Sequence, residues 1–320
     1  MAGLAVVLSG GGAKGAFQVG VLDALITQRG VEFETFVGVS TGAIQALGGA
    51  MDDMPGLLAE WRKLRSNADV YKNGGGIIGG VLGNDSLFKA KPIRDRIKAY
   101  ANETKLRASG KKLRVGVVNL QRGTYRTIDE NVPRIADWVY ASCAMPVYFE
   151  PHVTQDSAGR REQWVDGGVR EVTPLLSAME ENPRAVLVVR TSPEIVAPMM
   201  PRTYGNLIEI GLRSVGIQSS EVSHGDTAGV ELGNEILAAR KAQAAALKAA
   251  GVTGAAARRI LLPLDETIAR HRLVPVMVLM PDKEFSDTLE FDAAKIEEAI
   301  LAGRKLVDDE WPKLKAFLGV

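Results

Sequence analysis

Residues 4–25 read LAVVLSGGGAKGAFQVGVLDAL, and the change of pattern after Ser9 decides how the chain is built. LAVVLS is a short run rich in β-branched residues, as expected of a strand buried on both faces in a parallel sheet. Beyond the glycines, Phe17, Val21 and Leu25 recur at a spacing of four, the period of a helix with one apolar face. The same order returns at once: ETFVGVS (34–40) is strand-like, and TGAIQALGGA (41–50) has small residues suited to close packing on a sheet. Two successive strand–turn–helix units predict an α/β fold.

Working outward, strands are predicted at KLRVGVVNL (112–120) and YRTID (124–128), joined as a hairpin across Gln121, Arg122 and Gly123. RAVLVVR (184–190) and PVMVLM (275–280) read as further strands. Helices fit 54–65, 92–100 and the segment after Phe291, where Asp292 can cap and Ile296, Ala299, Ile300, Leu306 and Val307 form one apolar stripe. NGGGIIGGVLG (73–83), with six glycines, reads as a mobile loop. Residues 202–272 lack strand signals, carry the Ala-rich run ILAARKAQAAALKAA, and are expected to form a helical insertion or cap.

With 320 residues, 46% of them apolar, the chain can bury a large core. Its 39 basic and 38 acidic side chains leave a net charge of +1, so no global field draws it to nucleic acid or to an anionic bilayer. Any lipid contact has to be local. A single cysteine, Cys143, rules out an internal disulfide framework and favours a reducing compartment. The three histidines, His152, His224 and His271, have no metal-motif spacing, and no metal or cofactor is expected. The N-terminus lacks a basic region before its apolar run, and no stretch approaches the roughly 20 apolar residues of a membrane span. These features predict a cytoplasmic protein without a transmembrane segment.

Gly10, Gly12 and Gly15 satisfy G-x-G-x-x-G, so a dinucleotide site is the first reading to weigh. Such a site also needs an acid at the end of its second strand. Here Glu32 and Glu34 precede that strand and Ser40 ends it, while Gly15 follows Lys14 where a Walker A loop needs Ser or Thr. A tight structural turn is the plain alternative. GVSTG (38–42) is G-x-S-x-G between a strand and a helix, the setting of a nucleophile elbow, with Gly38 and Gly42 sparing the strand and helix a Cβ clash. Its plain alternative is a serine N-cap. Acyl transfer through serine creates an oxyanion that fixed donors must hold. The loop GGGAKG can supply them through outward backbone N–H groups and the positive end of the following helix, whereas Lys14 reads as a solvated or structural charge. The serine also needs a base. The three histidines are candidates, as is Asp166 in QWVDGGVREVTPLL (163–176), although Asp before glycine is usually a turn residue.

Four blocks in order, GGGAKGAFQVGVL (10–22), GVSTGAIQA (38–46), ASCAMPVYFEP (141–151) and DGGVREVTPL (166–175), give the chain its resemblance to patatin-like phospholipases. That family consists of lipid acyl hydrolases similar in their core to cytosolic phospholipase A2. The resemblance covers roughly the first 175 residues. Gln45 stands where Asn is usual, a mild change for a position that follows the elbow. The resemblance implies a three-layer α/β/α fold with a mainly parallel sheet and a Ser–Asp dyad. Ser40 would be the nucleophile and Asp166 its base. Gly10, Gly11 and Gly12 would surround the oxyanion hole, with Gly15, Gly38, Gly42, Gly167 and Gly168 as supporting glycines. A carboxylate is a weak base for a hydroxyl unless partly desolvated, so the Asp166 pKa is expected to be raised. A Ser-Asp-His triad using a downstream histidine is the rival.

One domain is expected over 1–320, with a motif-bearing core to about 190, a helical segment over about 202–272 and a final strand and helix over 274–316. The expected activity is hydrolysis of carboxylic esters in phospholipids or glycerides. A transient membrane-surface contact through NGGGIIGGVLG or IVAPMMP (195–201) is also expected. The competing readings are a Rossmann-type nucleotide-binding protein and a catalytically silent binding protein of the same fold. Cys143 reads as a packed small residue, and the oligomeric state is not encoded in any motif.

Overall fold

The computed structural model describes residues 3–74, 86–193, 203, 210, 213, 217–218, 221–222 and 225–320. IVAPMMP and all but the first two residues of NGGGIIGGVLG lie outside the described residues. The chain opens with β1 (Leu4–Leu8), α1 (Ala16–Leu22), β2 (Thr35–Gly38), α2 (Thr41–Ala50) and α3 (Met54–Arg62). A two-stranded ribbon, β3 (Lys72–Asn73) with β4 (Phe88–Lys89), precedes α4 (Lys91–Tyr100) and α5 (Glu103–Ala108). Then come the hairpin β5 (Lys112–Asn119) and β6 (Thr124–Asp129), α6 (Ile135–Cys143), β7 (His152–Gln155), β8 (Arg161–Asp166), α7 (Leu175–Met179) and β9 (Ala185–Val189). The last elements are α8 (Val230–Ala249), α9 (Gly254–Arg270), β10 (Val276–Leu279) and α10 (Ala293–Leu318).

The main sheet has the order β10-β9-β1-β2-β5-β8-β7, with β6 also on β5. It is parallel from β10 to β5, and antiparallel where β5 meets β6 and β8 and where β8 meets β7. Alternation along β1 makes three layers. Leu4, Val6 and Leu8 join the cluster that holds Phe17, Leu47 and Ile300 from α1, α2 and α10. Ala5 and Val7 face the opposite side, with Val37, Val186 and Val188, against Leu175 and Ala178 of α7. Each such side chain, fully buried, stabilises the fold by about 1.5–3 kcal/mol, which is why the β1 run carries no polar residue on either face. Helices α1 and α10 approach backbone to backbone: a Cβ on Gly20 would lie 2.0 Å from the Ile300 carbonyl oxygen, and one on Gly303 would lie 2.3 Å from that of Phe17.

The register on β5 brings the chemistry together. Its Arg114 and Val115 pair with both β2 and β6, so those two strands occupy opposite edges. Its Val117, Val118 and Asn119 pair with both β6 and β8, which puts β8 on the β2 edge, beyond the point where β2 ends. β2 and β8 thus meet tip to tip on one edge of β5. Gly38 faces Val115, Asp166 faces Val117, and Gly116 lies between.

The described part of 202–272 is helical, as its composition predicts, and α8 and α9 pack on each other with most of their residues exposed. Their base is tied to the sheet. Asn234 Nδ2 donates to the Val276 carbonyl at 2.8 Å, and the Val276 N–H donates to Asn234 Oδ1 at 3.1 Å, closing the edge of β10. Asp292 caps α10 through the N–H groups of Ala294 and Lys295. The ribbon β3–β4, α5, α6, β7 and α7 have no counterpart in the sequence reading.

Candidate active site

Ser40 lies just past the tip of β2 with φ 56° and ψ −129°, a conformation that costs a non-glycine residue energy and turns its side chain out of the sheet. The two glycines of the motif make the turn fit. A Cβ on Gly38 would lie 2.2 Å from the Gly42 carbonyl oxygen, and one on Gly42 would lie 2.1 Å from that of Leu8. The elbow is held from α6: the Ser40 N–H donates to Ser142 Oγ at 2.9 Å, Ser142 Oγ donates to the Gly116 carbonyl at 2.7 Å, and Cys143 Sγ donates to the Ser40 carbonyl at 3.2 Å.

Asp166 ends β8 with its side chain buried. Its N–H donates to the Ala144 carbonyl at 3.0 Å, and its Oδ1 accepts the Gly168 N–H at 2.8 Å. Burial pushes the carboxyl up to about 7, the direction expected from the sequence, while the nearby Ser40 hydroxyl and the hydrogen bond from the Gly168 N–H pull the other way. Gly167 allows the turn to pass the sheet, since a Cβ there would lie 2.5 Å from the Gly116 carbonyl oxygen.

The loop after β1 lies beside both. The Gly10 N–H is committed to the Val172 carbonyl at 2.9 Å, and the Ala13 N–H to the Thr288 carbonyl at 2.9 Å. The N–H groups of Gly11 and Gly12 have no acceptor among the described residues, and both glycines line the central cavity. Gly12 has φ +59°, and a Cβ there would lie 2.0 Å from the Thr288 carbonyl oxygen, so only glycine fits. A Cβ on Gly15 would meet Thr41 Oγ1 at 2.3 Å, where the first turn touches α2. Lys14 is paired, with Glu284 at 2.9 Å and Ser192 Oγ at 3.2 Å, in agreement with a structural charge.

Ser40, Asp166, Gly168 and the three loop glycines all border one cavity of about 950 Å³. Much of its wall is apolar, including Leu47, Leu57, Trp61, Ile93, Ile97 and Phe149. Of the two described histidines, neither borders it. His152 is buried against Trp138 with ring centroids 5.5 Å apart, and burial lowers its pKa; His271 caps α9. His224 lies outside the described residues.

Sequence reasoning missed Ser142, although it lies within ASCAMPVYFEP, one of the four blocks that carry the family resemblance. It also passed over the reach of Gln45. That buried side chain donates to the Gly15 carbonyl, bonds Gln18 Oε1 and Thr41 Oγ1 at 3.2 Å, and accepts Trp61 Nε1 at 3.3 Å.

The pattern of patatin-like phospholipases matches residues 6–179, which contain the end of β1, the elbow, β8 and both candidate side chains, and the chain belongs to that family. Among solved structures, VipD from Legionella pneumophila is similar at 15% sequence identity and a TM-score of 0.46, over 96% of this chain and 67% of that one. No curated protein matches the sequence. Among the described residues, no helix is long and apolar enough to cross a membrane.

Proposed function

We propose that the protein hydrolyses the carboxylic esters of lipids, phospholipids or glycerides, through an acyl-enzyme formed on Ser40 with Asp166 as the base. The observation that carries this reading is the placement of the strained serine and a buried carboxyl together at the wall of a large apolar cavity, the serine hydroxyl close enough to pull the carboxyl's pKa down against burial. Deprotonated Asp166 accepts the hydroxyl proton as Ser40 Oγ attacks the ester carbonyl carbon. The carbonyl oxygen becomes an oxyanion, and the N–H groups of Gly11 and Gly12 are the donors open to it. Gly10 serves as the fixed hinge of that loop. When the intermediate collapses, Asp166 returns the proton to the leaving alcohol. Water then repeats the cycle on the acyl-enzyme, with Asp166 again taking a proton.

A cavity of this size and polarity suits an acyl chain, which needs apolar walls and no partner for its methylenes. The test is fluorophosphonate labelling with ester hydrolysis in the wild type, Ser40→Ala and Asp166→Asn. Labelling and turnover are expected in the wild type, no label in Ser40→Ala, and turnover reduced by about 10³ or more in Asp166→Asn. Labelling that persists in Ser40→Ala refutes the nucleophile, and a folded wild type without turnover on any ester refutes the activity.

A further inference from the structure

The N–H groups of Val172 and Thr173 both donate to a single oxygen, Oδ2 of Asp226, at 2.8 and 2.7 Å. Asp226 belongs to the segment that leads into α8, whose base Asn234 ties to β10. It does not border the cavity. The Val172 carbonyl accepts the Gly10 N–H, and the next two residues are the glycines that line the cavity and whose N–H groups have no acceptor among the described residues. The Val172 side chain packs at the same place: a Cβ on Gly10 would lie 3.8 Å from its Cγ1, and one on Gly168 would lie 3.8 Å from its Cγ2. A continuous path of short bonds therefore runs from Asp226 through Val172 to the glycine loop.

We propose that Asp226 is a positioning residue for oxyanion stabilisation, fixing the 172–173 backbone and, through the Val172–Gly10 bond, aiming the Gly11 and Gly12 N–H groups at the reacting carbonyl. The proposal rests on the reading of those two groups as the oxyanion donors. Thr173 is buried, so its N–H has no water to turn to if the carboxylate is lost. The peptide segment then has to move to find another acceptor, and it carries the Val172 carbonyl with it. Because one oxygen takes both donors, a side-chain amide can replace the carboxylate and a methyl group cannot.

The experiment compares wild type, Asp226→Ala, Asp226→Asn and Asp226→Glu on a short-chain aryl ester. Each variant's binding of a trifluoromethyl ketone, which forms a tetrahedral adduct on the serine, is measured alongside its binding of a free fatty acid. Removing an oxyanion donor costs about 10²–10³ in rate, and displacing two of them by a fraction of an ångström is expected to lower kcat about 10–100-fold in Asp226→Ala. KM and fatty-acid affinity should stay within about twofold, ketone affinity should fall in parallel with kcat, and Asp226→Asn should recover most of the loss. A folded Asp226→Ala variant with wild-type kcat and ketone affinity overturns the proposal. So does a loss confined to thermal stability. Should the alanine variant not fold, Asp226→Glu takes its place: its longer side chain displaces the segment, and wild-type kcat in it counts against the proposal. A wild type that neither turns over esters nor binds the ketone instead defeats the hydrolase reading itself.

Discussion

The Ser40 N–H donates to Ser142 Oγ at 2.9 Å, so a side chain of α6 holds the backbone of the nucleophile elbow in its strained conformation. Ser142 is buried, and its hydroxyl donates a hydrogen bond to the Gly116 carbonyl, at the gap where β2 and β8 meet. Ser142→Ala removes the acceptor and leaves both a buried N–H and a carbonyl short of a partner. The expected cost is about 1–3 kcal/mol in unfolding free energy, with kcat reduced about tenfold as Ser40 moves away from Asp166. Denaturant melts and steady-state kinetics on one ester check both.

The raised Asp166 pKa makes opposite demands on stability and on activity. In the folded chain the carboxyl titrates at about 7 rather than near its ordinary value of 3.8, so between those values the native state holds a proton that the unfolded state has released. Stability therefore falls as pH rises through this window, by at most about 4 kcal/mol for a shift of about three units. Asp166→Asn removes the titration. Its stability relative to the wild type should be near zero at pH 4 and rise to about 2–4 kcal/mol by pH 8. In the proposed mechanism catalysis runs the other way, since only the ionised carboxylate can accept the serine proton, and kcat/KM of the wild type should increase with pH and level off above about 7. A pH–rate profile and paired melts across pH 4–9 test the two signs together.

The legible parts of the molecule were those in which one local pattern had one physical meaning. The β-branched run at 4–8 could only be a strand buried on both sides, and Gly38 and Gly42 announced a backbone contact that the elbow does contain. Asp166 was ambiguous by itself, because Asp-Gly is common in turns. Its placement depends on β8 sharing an edge of β5 with β2, a long-range register that no local window encodes. The contacts of Ser142 and Asp226 were hidden for the same reason, since each bonds to backbone contributed by a distant segment. α6 escaped notice because it is short and mostly apolar, and a short apolar run does not by itself distinguish helix from strand.

Gln45 illustrates how a substitution that reads as mild in sequence can be fitted by its surroundings. Its amide joins α1, α2 and α3 through Gln18, Thr41 and Trp61, and reaches the Gly15 carbonyl at 3.3 Å. Asn is one methylene shorter and cannot reach the Gly15 carbonyl and Trp61 Nε1 together. Gln45→Asn is expected to cost about 1–2 kcal/mol, and Gln45→Leu, which leaves several buried groups unpaired, about 2–4 kcal/mol. Urea denaturation of both variants checks the order, and Gln45→Asn with wild-type stability would show that the network is not limited by reach.

On the proposed reading, the cavity beside Ser40 also sets which esters fit. Ile97 projects from α4 into the apolar wall, on the same helix as Ile93, and both border the space that Leu57 and Trp61 line from α3. A larger side chain at Ile97 subtracts from the volume open to the acyl chain and leaves Ser40, Asp166 and the glycine loop in place. Ile97→Trp is expected to keep turnover of a four-carbon ester within about threefold of wild type, while lowering kcat/KM for a sixteen-carbon ester more than tenfold. Each methylene that can no longer be buried forfeits about 0.8 kcal/mol, so the loss of two already exceeds a factor of ten. The chain-length profile of kcat/KM from four to sixteen carbons decides the matter. A profile that falls equally at every length means that the acyl chain lies elsewhere, and a break at an intermediate length measures how far it extends before meeting α4.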